Sequence, residues 1–271
     1  MVTFGSDFRH RLLSAIVLVA AALATAYAGG AVFSAFWTIA GIAVLWEWGD
    51  IARLENRRTW LAVGTVALVA GAVILNLYDY HLALTAVMLG AAACAFCVPR
   101  QSGFAVAGVL VAGAAALPIV ALRGEGTLGL VAVLYLCAVV WATDIFAYLV
   151  GRSVGGPKLW PRISPNKTRS GAIGGTVAGV LAGLVVAFVA GLPSLLPLAA
   201  LGLVLSIASQ VGDLAESAIK RHLGVKDAGR LIPGHGGLLD RLDGFAAASL
   251  AALLVVELRG GASAAAGLLL W

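Results

Sequence analysis

Long apolar stretches constrain this chain more than any motif. They run over Leu12–Tyr27, Ala31–Trp48, Trp60–Leu77, Leu82–Val98, Val106–Leu122, Leu128–Val150, Gly171–Leu192, Leu196–Gly212 and Phe245–Leu258. Each is long enough, or nearly so, to cross a hydrocarbon core of ~30 Å as a helix. The chain is 61% hydrophobic and 11% charged with a mean hydropathy of +1.00, whereas soluble domains carry about 25% charged residues. A soluble domain is excluded. The expected fold is all-α, a polytopic transmembrane helical bundle of about nine helices. The last run is short, and the tail Ala262–Trp271 is expected to fold back or to lie in the membrane interface.

The basic residues set an orientation, because Lys and Arg accumulate in short cytoplasmic loops. With a cytoplasmic N-terminus and these crossings, all of the 18 basic residues except Arg123 and Arg259 fall on the cytoplasmic side. The net charge of +5 then reflects topology and contact with anionic lipid head groups, not nucleic acid. Arg9 and Arg11 ahead of an apolar stretch ending in Ala24-Thr25-Ala26 also resemble a signal peptide, but an uncleaved first helix is the preferred reading. Cys94, Cys97 and Cys137 lie inside apolar runs, where they read as small core residues. Gly171, Gly175, Gly179 and Gly183 recur every four residues, a small-residue ridge that lets a neighbouring helix approach closely.

The chain divides unevenly. Residues 1–122 have short loops and few polar groups and are expected to be a transmembrane scaffold. Residues 123–271 form the expected catalytic region, with long cytoplasmic loops over 151–170 and 213–244. Asp144 lies within an apolar run, and Asp213 and Glu216 close another. A carboxylate at membrane depth is costly unless paired, solvated or metal-bound, which makes these residues functional candidates. Ser209, Asp213, Glu216 and Lys220 are spaced four, three and four apart, along one face of a helix. Asp240 and Asp243 stand three apart at the start of the last helix. Two helix ends carrying paired carboxylates suit a hard divalent cation, Mg²⁺ or Mn²⁺, bound by oxygen. Solvated helix ends whose Asp residues pair with Arg241 and Lys220 are the alternative.

The surroundings are cationic and glycine-rich. Pro233-Gly234-His235-Gly236-Gly237 is a turn before a helix, where free N–H groups suit an anion. Lys220, Arg221, Lys226 and Arg230 lie beside it in sequence. Ser164-Pro165-Asn166-Lys167-Thr168, followed by Gly171, Gly174 and Gly175, reads as a second anion cradle. Metal-binding carboxylates with phosphate-binding cations on a membrane face fit phosphoryl or nucleotidyl transfer.

These segments carry a resemblance. Ser217–Asp227 followed by Pro233–Asp243 closely resembles the signature of bacterial phosphatidate cytidylyltransferases, or CDP-diacylglycerol synthases. Gln210–Glu216, the Asp144–Arg152 segment and Ser164–Thr168 resemble that family's other shared stretches, in the same order. The resemblance covers about Trp141 to Gly244 specifically. It implies a Mg²⁺-dependent, dimeric, polytopic enzyme of the inner membrane, with a cytoplasmic active site, that converts CTP and phosphatidate to CDP-diacylglycerol and pyrophosphate. By similarity, Asp213 and Asp240 are the first choice as metal ligands, supported by Asp144, Glu216 and Asp243. Lys167, Lys220, Arg221 and Arg241 would hold phosphates, and His235 would face the nucleotide or the leaving pyrophosphate. Ser164, Asn166, Thr168, Lys226, Gly236 and Gly237 complete the expected substrate site. One departure is Thr168-Arg169-Ser170-Gly171, where the family usually has Thr-Trp-Glu-Gly. Two other readings stay open: a CTP-dependent polyprenol or lipid-alcohol kinase, and an ion transporter lined by Asp144 and Asp213.

Overall fold

The computed structural model describes residues 6–229, 231, 232 and 236–271, with backbone only over residues 6–13 and at residue 15. Arg230, Pro233, Gly234 and His235 lie outside the described residues, as do the side chains of Arg9 and Arg11.

Among the described residues ten α-helices form, with one short hairpin. The helices are α1 (Ser6–Ala28), α2 (Gly30–Ile51), α3 (Arg57–Leu77), α4 (Tyr80–Cys97), α5 (Ser102–Arg123), α6 (Gly126–Ser153), α7 (Arg169–Val189), α8 (Leu195–His222), α9 (Leu239–Arg259) and α10 (Ala264–Leu269). Seven of them, α2 to α8, are long and apolar enough to cross a membrane, and the chain is a multi-pass membrane protein. Among the residues described with side chains, the apolar part of α1 is Ile16–Ala28. Charged residues at both ends of α9, Asp240, Arg241 and Asp243 against Glu257 and Arg259, keep it outside that set. Large apolar side chains such as Val66, Leu89, Phe188 and Leu196 are exposed, as lipid-facing surface should be.

The chain forms two compact units, Met1–Val120 with Leu223–Leu242, and Ala121–His222 with Asp243–Trp271. In the first, α3 packs on α4 and on α2. The fully buried indoles of Trp48 and Trp60 donate to the carbonyls of Phe104 (2.8 Å) and Ala105 (3.0 Å) on α5. A side chain at Gly108 would lie 2.8 Å from the Trp60 ring, so glycine lets α5 reach both indoles.

In the second unit, α7 lies along α6 through the glycine ridge. A Cβ at Gly175 would lie 2.6 Å from the carbonyl oxygen of Thr143, and one at Gly183 would lie 2.8 Å from Val139. The ridge is a helix-packing device. Hydroxyls and an amide bind the same helices to α8: Thr143 to Ser206 (2.8 Å), and Gln210 Nε2 donating to Thr176 (2.8 Å). Where a loop is expected over 151–170, β1 (Lys158–Trp160) and β2 (Ser164–Thr168) pair antiparallel, Lys158 opposite Thr168 and Trp160 opposite Ser164. The tail folds back on the end of α9: the Arg259 guanidinium lies 3.4 Å over the Trp271 ring and donates to the carbonyls of Gly267 and Leu270.

Candidate active site

Within the second unit, the site residues come from β2, the end of α8 and the start of α9. The hairpin ends in Thr168, whose hydroxyl accepts the N–H of Gly171 (3.1 Å) and caps α7. This places the preceding Lys167 so that its ammonium meets the carboxylate of Asp213 on α8. One turn further along α8, buried Glu216 pairs with buried Lys220 at 2.7 Å. Ser209, Glu216 and Lys220 are all buried, in keeping with the shared face expected from their spacing.

The start of α9 closes on the same stretch of α8. A Cβ at Gly244 would lie 2.7 Å from Ser209 Oγ, and one at Gly212 would lie 2.7 Å from the Asp243 carbonyl. Asp243 therefore sits near α8, ahead of the apolar run of α9. Burial, and then the charges of Asp213, Glu216 and Asp144, hold its carboxyl well above the usual carboxylate range, against the lowering effect of the Gly244 N–H. Carboxylates from the two separate signature stretches thus share one electrostatic neighbourhood.

In the first unit, the segment leading into α9 is organised by carboxylates as well. Asp240 accepts the N–H of Ala228 (3.0 Å) and that of Gly237 (2.9 Å). Gly236 has φ +85°, in the left-handed region that favours glycine, and its carbonyl accepts the N–H of Ile232 at 2.9 Å. Gly237 is buried with its N–H spent on Asp240. Asn166, Arg221, Lys226, Arg241 and Asp144 are exposed, and Ser164 is half-buried. His235 lies outside the described residues.

Residues 9–258 match the profile of the Cytidylyltransferase family. The chain belongs to the Cytidylyltransferase family. It is 44% identical over 248 residues, 90% of this chain and 91% of the relative, to a phosphatidate cytidylyltransferase of Brucella abortus. Similar proteins of the same description from Bacillus subtilis and Staphylococcus haemolyticus are 46% and 47% identical over 125 and 118 residues, a little under half of each chain.

For a cytidylyltransferase the question is whether these acids suit a divalent cation. Among the described residues, no group of three His, Cys, Asp or Glu side chains is gathered into a ready cage. The donor set nonetheless fits a hard cation. It is all oxygen, and the crowding of Asp243 by Asp213, Glu216 and Asp144 is excess negative charge that a divalent ion would offset. Lys167 and Lys220 now supply part of that compensation.

Sequence reasoning missed one residue that holds this cytidylyltransferase's signature segment. Glu47 of α2, 2% exposed, accepts the N–H groups of Leu238 (3.0 Å) and Leu239 (2.7 Å) at the start of α9. The signal was present: Glu47 is a carboxylate inside the apolar run Ala31–Trp48, the same oddity that singled out Asp144.

Proposed function

We propose that this protein is a phosphatidate cytidylyltransferase, which transfers the cytidylyl group of CTP to phosphatidate and releases pyrophosphate. The near full-length likeness to an enzyme of that description is the observation that carries the reading. The meeting of Lys167, Asp213, Glu216, Lys220 and Asp243 in one neighbourhood supports it. A phosphate oxygen of phosphatidate attacks the α-phosphorus of CTP in line; the new P–O bond forms as the bond to the β-phosphate oxygen breaks. Phosphatidate is already ionised at neutral pH, so the protein needs neither a nucleophilic side chain nor a base. Asp213 and Asp240 are proposed to hold Mg²⁺ or Mn²⁺, with Asp243, Glu216 and Asp144 in support. Such an ion would supply neutralisation of triphosphate charge. Lys167, released from Asp213, is proposed to hold a phosphate oxygen, with Lys220, Arg221 and Arg241 adding positive charge. Ser164, Asn166, Thr168, Lys226, Gly236 and Gly237 line the proposed substrate site, and His235 is assigned a hydrogen-bonding role toward the nucleotide.

The arrangement of the basic residues supports a cytoplasmic N-terminus and a site facing the cytoplasm from the inner membrane. A homodimer is proposed on the family resemblance alone. The deciding experiment gives purified protein CTP labelled in the cytidine, phosphatidate and Mg²⁺. Labelled CDP-diacylglycerol with equimolar pyrophosphate is expected. Release of CDP with phosphorylation of an added polyprenol would establish the lipid-kinase reading instead, and ion flux into protein-bearing liposomes without CTP would favour a transporter.

A further inference from the structure

A buried carboxylate is stable only when hydrogen bonds or opposite charge replace lost water. Glu47 finds both at the start of α9, where the first amides of a helix lack intrahelical acceptors and the helix dipole favours negative charge. Its two oxygens divide the work: Oε1 takes the N–H of Leu238, and Oε2 that of Leu239. The contact spans 191 and 192 residues of sequence, so no local propensity of the signature segment supplies it. The backbone comes so close that only glycine fits beside the carboxylate. A Cβ at Gly229 would lie 2.5 Å from Oε1, and one at Gly237 would lie 2.8 Å from Oε2. On the other side of the same turn, Asp240 takes the N–H groups of Gly237 and Ala228. The turn is clamped between one carboxylate from α2 and one from α9.

We propose that Glu47 is a positioning residue, which fixes the turn before α9 and so sets where the Asp240 carboxylate points. Its influence on turnover rests on the cytidylyl-transfer reading, in which Asp240 serves the cation; the clamp itself does not. Replacing Glu47 with Gln leaves one acceptor and turns an NH₂ toward the second amide, so one of the two bonds is lost.

The test compares full-length wild type, Glu47→Gln, Glu47→Asp and Glu55→Gln in nanodiscs, by amide hydrogen exchange and by steady-state kinetics with CTP and phosphatidate. Glu55 is an exposed loop residue of the same unit whose carboxylate lies 3.9 Å from Arg100. In Glu47→Gln, exchange over Gly237–Leu239 is expected to rise roughly tenfold while α3 stays protected. Loss of this supporting contact is expected to lower kcat about 10- to 100-fold and to raise the Mg²⁺ concentration for half activation, with KM for phosphatidate nearly unchanged. Glu47→Asp, which keeps the charge, should fall between wild type and Gln, and it carries the test if the Gln variant does not fold. Glu55→Gln should match wild type. Unchanged exchange at Gly237–Leu239, or a rise spread evenly over both units, overturns the clamp. Faster exchange there with normal kinetics overturns the positioning role. If wild type makes no CDP-diacylglycerol, the proposed function fails, while the exchange data still judge the clamp.

Discussion

Two regions of the molecule solve the same problem, a carboxylate enclosed at the end of a transmembrane helix, in different ways. At the end of α2, Glu47 is held by two backbone N–H groups. At the end of α8, Asp213 and Glu216 are held by the ammonium groups of Lys167 and Lys220. Backbone donors cannot leave without moving the chain. A lysine can swing aside for a competing cation, and in the proposed mechanism its ammonium then serves a phosphate. The first arrangement is fitted to hold geometry, and the second to exchange partners during a reaction. The backbone bonds belong to the first unit, the exchangeable pairs to the second.

The largest effect expected from this contrast is on turnover. Asp213→Asn keeps the shape of the side chain and removes the charge. It should lower the rate of CDP-diacylglycerol formation by roughly 10³-fold, measured as pyrophosphate release, with little change in thermal unfolding. Lys167→Met should also act mainly on rate, because Lys167 and Asp213 are about one-third exposed (29% and 35%) and their pairing adds little stability. A Lys167→Met protein of normal activity would break the idea that this lysine passes from carboxylate to phosphate.

Next in size is a stability effect at the inner pair. Glu216 and Lys220 keep only 8% and 11% of their side-chain surface. Lys220→Met takes the ammonium away from a buried carboxylate and should cost about 3 kcal/mol of stability, read from unfolding in detergent. Making the pair neutral, Glu216→Gln with Lys220→Met, should recover most of that loss. A double variant as unstable as the single one would show that Lys220 contributes through packing instead of charge.

Most of the architecture was legible because a membrane imposes simple requirements. Apolar length gave the helices, and the four-residue glycine repeat gave the seam between α6 and α7. The spacing of Ser209, Asp213, Glu216 and Lys220 put Glu216 and Lys220 on one helix face, and the structure adds that those two pair with each other. The hairpin over 158–168 was not legible, since three- and five-residue strands carry almost no periodic signal and Pro165 argues against a strand. Lys167 was read as part of an anion cradle, yet its contact with Asp213 joins positions 46 apart in sequence, and no local pattern encodes such a distance. Glu47 was hidden for another reason. Its partners are main-chain amides, which every residue but proline offers, so no partner side chain marks the contact.

The smallest expected effect concerns the proton on Asp243, and it sharpens the comparison because it separates charge from geometry. The raised pKa of the folded state means that the native protein holds this proton more tightly than the unfolded chain. Stability from this group is therefore complete below the unfolded value, about pH 4, and declines as pH rises through the folded value. Without divalent cation, wild-type unfolding temperature should fall more steeply than that of Asp243→Asn as pH rises from 4 toward neutrality. Adding Mg²⁺ should flatten the wild-type slope, since a cation among Asp213, Glu216 and Asp243 stabilises the ionised form, and should scarcely change the variant. Parallel slopes for the two proteins without Mg²⁺ would mean that the lysines already neutralise the carboxylates of α8. The second region would then be no more open to a competing cation than the clamp around Glu47.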